Sequence, residues 1–324
     1  MVTGMDIVLP NSANLQNITG LLSKWDLSRP DEMRFSMHPK WVAIHPVVLA
    51  MTACLATHTR EQGGVVTGEA TQVPTLHYLI RMGLFDYLGI DPGKQIKRHE
   101  ESGRFVPITQ LKTNDDLKKA IVNLIPLLHA PAAVADPIKY VFSEMVRNAL
   151  EHSYSSVGVF VCAQYYRESK RIAIGVADAG VGVLHSMERF HQVRTPREAI
   201  RLALQPGVTG TTSRIGGNEF NAGAGLFFTK SISVMSRNRF FLYSNDSMFR
   251  LMQTRQRYEP ELYADPINDP HEFVAAPSWP GTVVGIDMSI ERGIDFASLL
   301  EFIRAAYSLD VKKKKNYAAK IRFS

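Results

Sequence analysis

Three short blocks, far apart and in a fixed order, constrain this chain most. Ser143-Glu144-Met145-Val146-Arg147-Asn148-Ala149-Leu150-Glu151-His152-Ser153 comes first, Val176-Ala177-Asp178-Ala179-Gly180-Val181-Gly182 second, and Gly223-Ala224-Gly225-Leu226 third. In the first block Glu144, Asn148 and His152 recur every four residues, so a helix would carry them on one face. The second is an apolar run closing on an aspartate and glycines, the pattern of a strand running out of a sheet into a turn. The third places two glycines at the start of a helix. Helix face, strand end and helix start in this order demand an α/β layer architecture.

The bulk composition agrees. A length of 324 residues suffices for two domains, and 45% apolar residues can fill their cores. The net charge of +6 is concentrated most clearly in Lys312-Lys313-Lys314-Lys315, read as a solvated helix end or tail. No aromatics interleave with these lysines and no nucleic-acid motif accompanies them, so nucleic acid is not indicated as a partner. Cys54 and Cys162 lie far apart without a CxxC pair and read as core thiols rather than a metal cluster or disulfide framework. No basic stretch precedes an apolar run at the start, and no 18-residue apolar segment occurs, so the expectation is a cytoplasmic protein without a membrane segment.

Along the chain, residues 1–105 read as a small α/β domain, 106–310 as a second domain and 311–324 as a basic tail. In the first, 33–35, 41–44 and 65–66 are extended, Pro46 opens a helix over 46–62, and a second helix covers 74–82. In the second, a helix over 114–130 should kink or end early at Pro126, and Pro131 and Pro137 should interrupt the chain before the helix of the first block. Strands at 157–165 and 171–176 form a hairpin, and 183–222 is a long connection with a helical piece near 196–204. A helix over 225–236 follows, then two strands at 239–243 and 248–253. The prolines between 260 and 280 suggest a surface insertion before a last strand at 281–288 and a helix at 296–307.

Each block suggests chemistry. Asn148 offers an amide oxygen suited to Mg²⁺, and Glu144 beside it would activate a water or hydroxyl; Arg147 and Glu151 lie one turn apart and would pair on the surface. Asp178 at a strand end would accept the exocyclic amino proton of adenine, with Gly180 and Gly182 letting the backbone pass close to the base. Gly223, Gly225 and Leu226 would open a helix whose amides bind phosphate oxygens, with Gly207, Gly210, Gly216 and Gly217 in a lid before them. Gly281-Thr282 would bring a hydroxyl near the base. The chain has no GxxxxGK[ST] sequence, so a nucleotide site must be built this other way.

In this motif order residues 110–307 resemble the GHKL superfamily of Bergerat-fold ATPases and kinases, and Asn148-Ala149-Leu150-Glu151-His152-Ser153-Tyr154 is similar to the anti-sigma-factor serine kinase branch. The resemblance implies a two-layer α/β sandwich on a mixed sheet, ATP and Mg²⁺ as ligands, Glu144 as general base, and Asn148 as magnesium ligand. It further implies Asp178 with Gly180 and Gly182 at adenine, Gly223 and Gly225 at phosphate, and Thr282 near the base. The lid is longer than in simple anti-sigma kinases, and His129 is followed by Ala130-Pro131, unlike the phosphoacceptor of a sensor histidine kinase. The stretch 33–90 resembles STAS domains in its strand–helix order, its Arg60-Glu61-Gln62-Gly63-Gly64 helix exit and its Gly83-Leu84-Phe85-Asp86 ending. Where a STAS antagonist carries its phosphorylated serine, this chain has His45-Pro46-Val47-Val48. The expectation is an ATP-binding regulatory protein that hydrolyses ATP or phosphorylates a partner's Ser/Thr. The alternatives are an ATP-gated interaction switch and a homodimeric clamp.

Overall fold

In a computed structural model the described residues are 5–27, 31–40, 42–94, 105–128, 132–213, 225–253, 260–289 and 296–322. The chain is α/β. Its first part comprises β1 (Met5–Leu9), β2 (Ser12–Ala13), α1 (Ile18–Leu22), β3 (Glu32–Met37), β4 (Ala43–Ile44), α2 (Pro46–Glu61), β5 (Val65–Gly68), α3 (Leu76–Arg81) and α4 (Leu84–Leu88). Then follow β6 (Phe105–Leu111), α5 (Asn114–Leu128), α6 (Ala132–His152), β7 (Val159–Tyr166), β8 (Arg171–Asp178), α7 (Gly182–Glu188) and α8 (Pro196–Ala203). The last elements are α9 (Gly225–Met235), β9 (Arg239–Leu251), β10 (His271–Ser289) and α10 (Phe296–Arg322).

The expected mixed sheet resolves into separate sheets of one sense each. Strands β1-β3-β5 form a parallel sheet, β2 pairs with β4 in parallel, and β6-β7-β8-β10-β9 form a sheet whose pairings are all antiparallel. On β8, Ile172, Ile174 and Val176 face a core built with α5, α6, α9 and α10. The alternate residue Ala177 faces the opposite core, made with α2 and the parallel sheet. The two faces follow from the period-2 alternation of a strand buried on both sides.

The N-terminal unit is therefore not a separate layer stack beside the sheet. Helix α2 is apolar nearly all round, and such a helix must be buried on every side. Pro46 pre-sets its first turn, and His45 caps it, Nδ1 accepting from Val47 N–H at 3.0 Å. It lies against β7 and β8 so closely that a Cβ on Gly175 would stand 2.1 Å from Val47 Cα. Since Nδ1 accepts, the proton is on Nε2, which donates to Asp287 Oδ1 at 3.0 Å. Burial of Val47, Val48, Leu49, Met51 and Leu55 at about 2 kcal/mol each contributes on the order of 10 kcal/mol, comparable with the net stability of a whole domain.

Several expectations need correction. Helix α5 continues past Pro126, and α6 begins before Pro137. Each proline removes one backbone hydrogen bond near a helix end. The two strands expected at 239–243 and 248–253 are one, β9, with polar Asn245 at φ 53° inside it. The supposed surface insertion contains the first half of β10, whose Pro277 and Pro280 fall where the pairing with β9 shifts register, at the bulges that tolerate proline. The connection after Gly182 holds an additional helix, α7. Helix α10 runs on past 307 through the four lysines to Arg322, and Lys314 Nζ donates to Gln205 Oε1 at 3.2 Å. Strand β1, absent from the sequence reading, shows its alternation over Met5–Leu9. No helix among the described residues is long and apolar enough to cross a membrane.

Candidate functional site

The helix face, the strand end and the helix start meet at one cleft with an open volume of about 780 Å³. Asn148, Asp178, Gly182, Gly225, Leu226 and Thr282 all line it. Its apolar wall comes from Met145 on α6, Val176 on β8, Leu242 on β9 and Val284 on β10, residues that share the helix-covered face of the sheet. Val208, Thr209 and Gly210 line it on the lid side, where Thr209 O accepts from His191 Nε2 at 2.9 Å. Gly223, Gly216 and Gly217 lie outside the described residues.

Asp178 is the most constrained member. It ends β8 and is 1% exposed. Its Oδ1 accepts from Gly180 N–H at 2.9 Å and from Thr282 N–H at 3.3 Å, while its backbone carbonyl accepts from Trp279 Nε1 at 2.8 Å. Burial pushes its carboxyl up to about 7, against the two backbone N–H groups that favour the charged form. No other donor among the described residues reaches the carboxylate, so its second oxygen retains its acceptor capacity beside the cleft. Gly180 is obligatory in this arrangement, because a Cβ there would stand 1.9 Å from Ser153 O.

Glu144 and Asn148 lie one turn apart on α6 and face the first turn of α9. A Cβ on Gly225 would stand 2.5 Å from Glu144 Oε2 and 2.6 Å from Asn148 Nδ2, so a side chain there would push these two groups aside. Glu144 is outside the set of residues that line the cleft, and its Oε1 accepts from Arg147 Nη1 at 2.7 Å. Burial raises its carboxyl, and the Arg147 charge and hydrogen bond oppose that rise. Arg147 thus forms an ion pair with Glu144 one turn before it. Asn148 Nδ2 is buried without a partner, an amide with spare capacity at the α9 terminus. His152, the third residue of this face, also lines the cleft, and burial lowers its imidazole below the ordinary value.

Among the described residues no group of three or more His, Cys, Asp or Glu is placed to hold a metal ion. Asn148 and Glu144 therefore offer isolated oxygen donors, not a protein-caged metal site. The eleven-residue helix α9 begins at the same end of the cleft, where Gly225 and Leu226 line it.

Other contributors were not read from the sequence. Ser244 Oγ donates to Gly281 O at 2.7 Å and accepts from Val183 N–H at 2.9 Å, tying β9, β10 and α7 around Asp178. Ser186 Oγ donates to Gly182 O at 3.0 Å. Trp279, fully buried, fixes the Asp178 backbone from the other side. A lone tryptophan between two prolines was the available signal, since so large an apolar residue is out of place in an exposed insertion. No protein-family model matches this chain, and no curated protein matches it in sequence.

Proposed function

We propose that the chain binds ATP with Mg²⁺ in this cleft and acts as a cytosolic regulatory protein of the GHKL type, hydrolysing ATP or passing its γ-phosphate to a Ser or Thr of a partner. The observation that carries the reading is Asp178: a buried carboxylate at a strand end, one oxygen held by two backbone N–H groups and the other left to a ligand. Such an acceptor suits the exocyclic amino group of adenine, and guanine presents a carbonyl at the same place. Met145, Val176, Leu242 and Val284 supply apolar contact for a base, and Thr282 stands beside it. The N–H groups of α9 suit the phosphates.

Asn148 is the residue that would hold Mg²⁺, which supplies charge neutralisation of the phosphates when bound. Glu144 would take a proton from water or from a partner hydroxyl, its basicity raised by burial while Arg147 keeps it charged. The N-terminal unit, with its parallel sheet and central α2, is read as a STAS-like module fused to the back of the sheet.

One observation favours the second reading, an ATP-gated interaction switch with little catalysis: Glu144 Oε1 is engaged by Arg147. Calorimetric titration of ATP, ADP and GTP into wild type and Asp178→Asn tests the site, and adenine-selective binding lost in the variant is expected. No adenine nucleotide binding to folded wild type would overturn it. Turnover abolished by Glu144→Ala with binding retained marks the enzyme; equally slow turnover in both marks the switch. ATP-dependent growth in light scattering would mark the homodimeric clamp.

A further inference from the structure

Beside the cleft, arginines stand without carboxylates. Ser186, Met187 and Ala203 of α7 and α8 line the cleft, and the chain from 189 to 201 carries Arg189, Arg194, Arg197 and Arg201. Arg201 is paired, its Nε donating to Asp265 Oδ1 at 3.1 Å. Among the described residues no carboxylate forms an ion pair with Arg189, Arg194 or Arg197. The local acids are engaged: Glu188 pairs with His185 at 3.1 Å, and Glu198 caps α8, accepting from Arg194 N–H at 2.8 Å and Thr195 N–H at 3.2 Å.

Two of the three unpaired guanidiniums lie on aromatic rings. Arg197 stands over Phe273 at 4.7 Å, and Arg189 over Tyr154 at 5.9 Å and Phe190 at 5.7 Å. Arg197 also borders a recess with an open volume of about 790 Å³, shared with Thr195, Glu198, Arg201, Ile267, His271 and Phe273. A guanidinium laid on a ring directs its edge N–H groups outward, pre-organised for a bidentate carboxylate; Arg189 also donates from Nη1 to Tyr154 Oη at 3.4 Å.

We propose that the start of α8, where Arg194 and Arg197 flank the Thr195 cap, docks an acidic segment of a partner protein whose Asp and Glu side chains pair with the guanidinium edges. The partner's delivery to the γ-phosphate rests on the nucleotide reading above; the docking itself does not. Charge complementarity sets the class of occupant: among the described residues Arg194 and Arg197 form no ion pair, and the acid beside them, Glu198, is committed to the backbone N–H groups of Arg194 and Thr195. A single-stranded nucleic acid fits less well, because it stacks bases on open aromatic faces, and here arginines cover one face of each ring.

Fluorescence anisotropy of the full chain with a labelled peptide of alternating Glu and Gly, at low and physiological salt, tests the proposal. Arg194→Ala/Arg197→Ala is expected to weaken the peptide about tenfold or more while leaving the ATP dissociation constant unchanged. Lys312→Ala/Lys313→Ala, which removes the same charge from α10, is expected to leave peptide binding unchanged. Equal weakening by both double variants would reduce the effect to net charge and overturn the proposal. So would displacement of the peptide by a single-stranded oligonucleotide at lower concentration than by free acidic peptide. Peptide binding without ATP binding keeps the docking surface and removes the nucleotide reading; ATP binding without peptide binding does the reverse.

Discussion

Replacing Asp178 by Asn should stabilise the ligand-free protein at alkaline pH. The carboxyl is driven from the ordinary 3.8 to about 7 by burial, so the folded state holds its proton over a range where the unfolded chain has released it. Where the native state binds more protons, stability falls as pH rises. The loss begins near the unfolded value, accumulates up to about 7, and is complete above it. Each pH unit across that gap is worth about 1.4 kcal/mol, giving about 4 kcal/mol at most. Asn is isosteric, its Oδ1 can still accept from Gly180 and Thr282, and its amide does not ionise. At about 2 cal/mol/K per residue of unfolding entropy, the difference corresponds to a melting point roughly 3–6 °C higher for the variant at pH 8, vanishing near pH 4. Melts of both proteins at pH values from 4 to 8 supply the comparison. Parallel profiles, a variant less stable at pH 8, or a variant that does not fold would refute the assignment of Asp178 as a buried, reluctantly charged acid. Such a residue is retained at a stability cost when a ligand uses it.

Three further outcomes follow from the same geometry. Adenosine affinity should fall about tenfold between pH 8 and pH 6, because the amino group of adenine pairs with the ionised carboxylate and protonation below about 7 removes its acceptor; a flat profile in calorimetry would count against adenine at Asp178. Gly225→Ala should weaken ATP by more than tenfold with the fold retained in circular dichroism, since its Cβ would press on Glu144 and Asn148; unchanged affinity would separate these residues from the phosphates. Lys230→Met should destabilise by about 3–5 kcal/mol in urea unfolding, because it strands the fully buried Asp269 partnered at 2.7 Å, and Lys230→Met/Asp269→Leu should recover most of that loss.

Much of the site was legible because its chemistry needs particular residue types at particular spacings. Glu144 and Asn148 share a face of α6 by helical period alone, and Asp178 ends an apolar run that could only be a strand. The rest depended on long-range pairing. Pro277 and Pro280 read as a loop because proline removes a ladder donor, but bulges leave that donor unneeded. Polar Ser244 and Asn245 fell between the two expected strands, and only pairing across to Thr282 and Trp279 makes them strand. The apolar girth of α2 announced that it was buried, yet nothing in its own residues named the second sheet that buries it. Gly175 was the one local sign, a glycine inside a strand where another backbone comes close.

The shared core of α2 and the sheet also sets the order in which the newborn protein can mature. Helix α2 is complete by Glu61, but the strands that cover it end as late as Ser289 in β10. At roughly 5–20 residues per second of synthesis, its apolar surface waits on the order of 10–40 s for its last partners. Until then the helix has β3, β5 and α4 of its own unit to pack on, so part of its apolar surface stays uncovered through that interval.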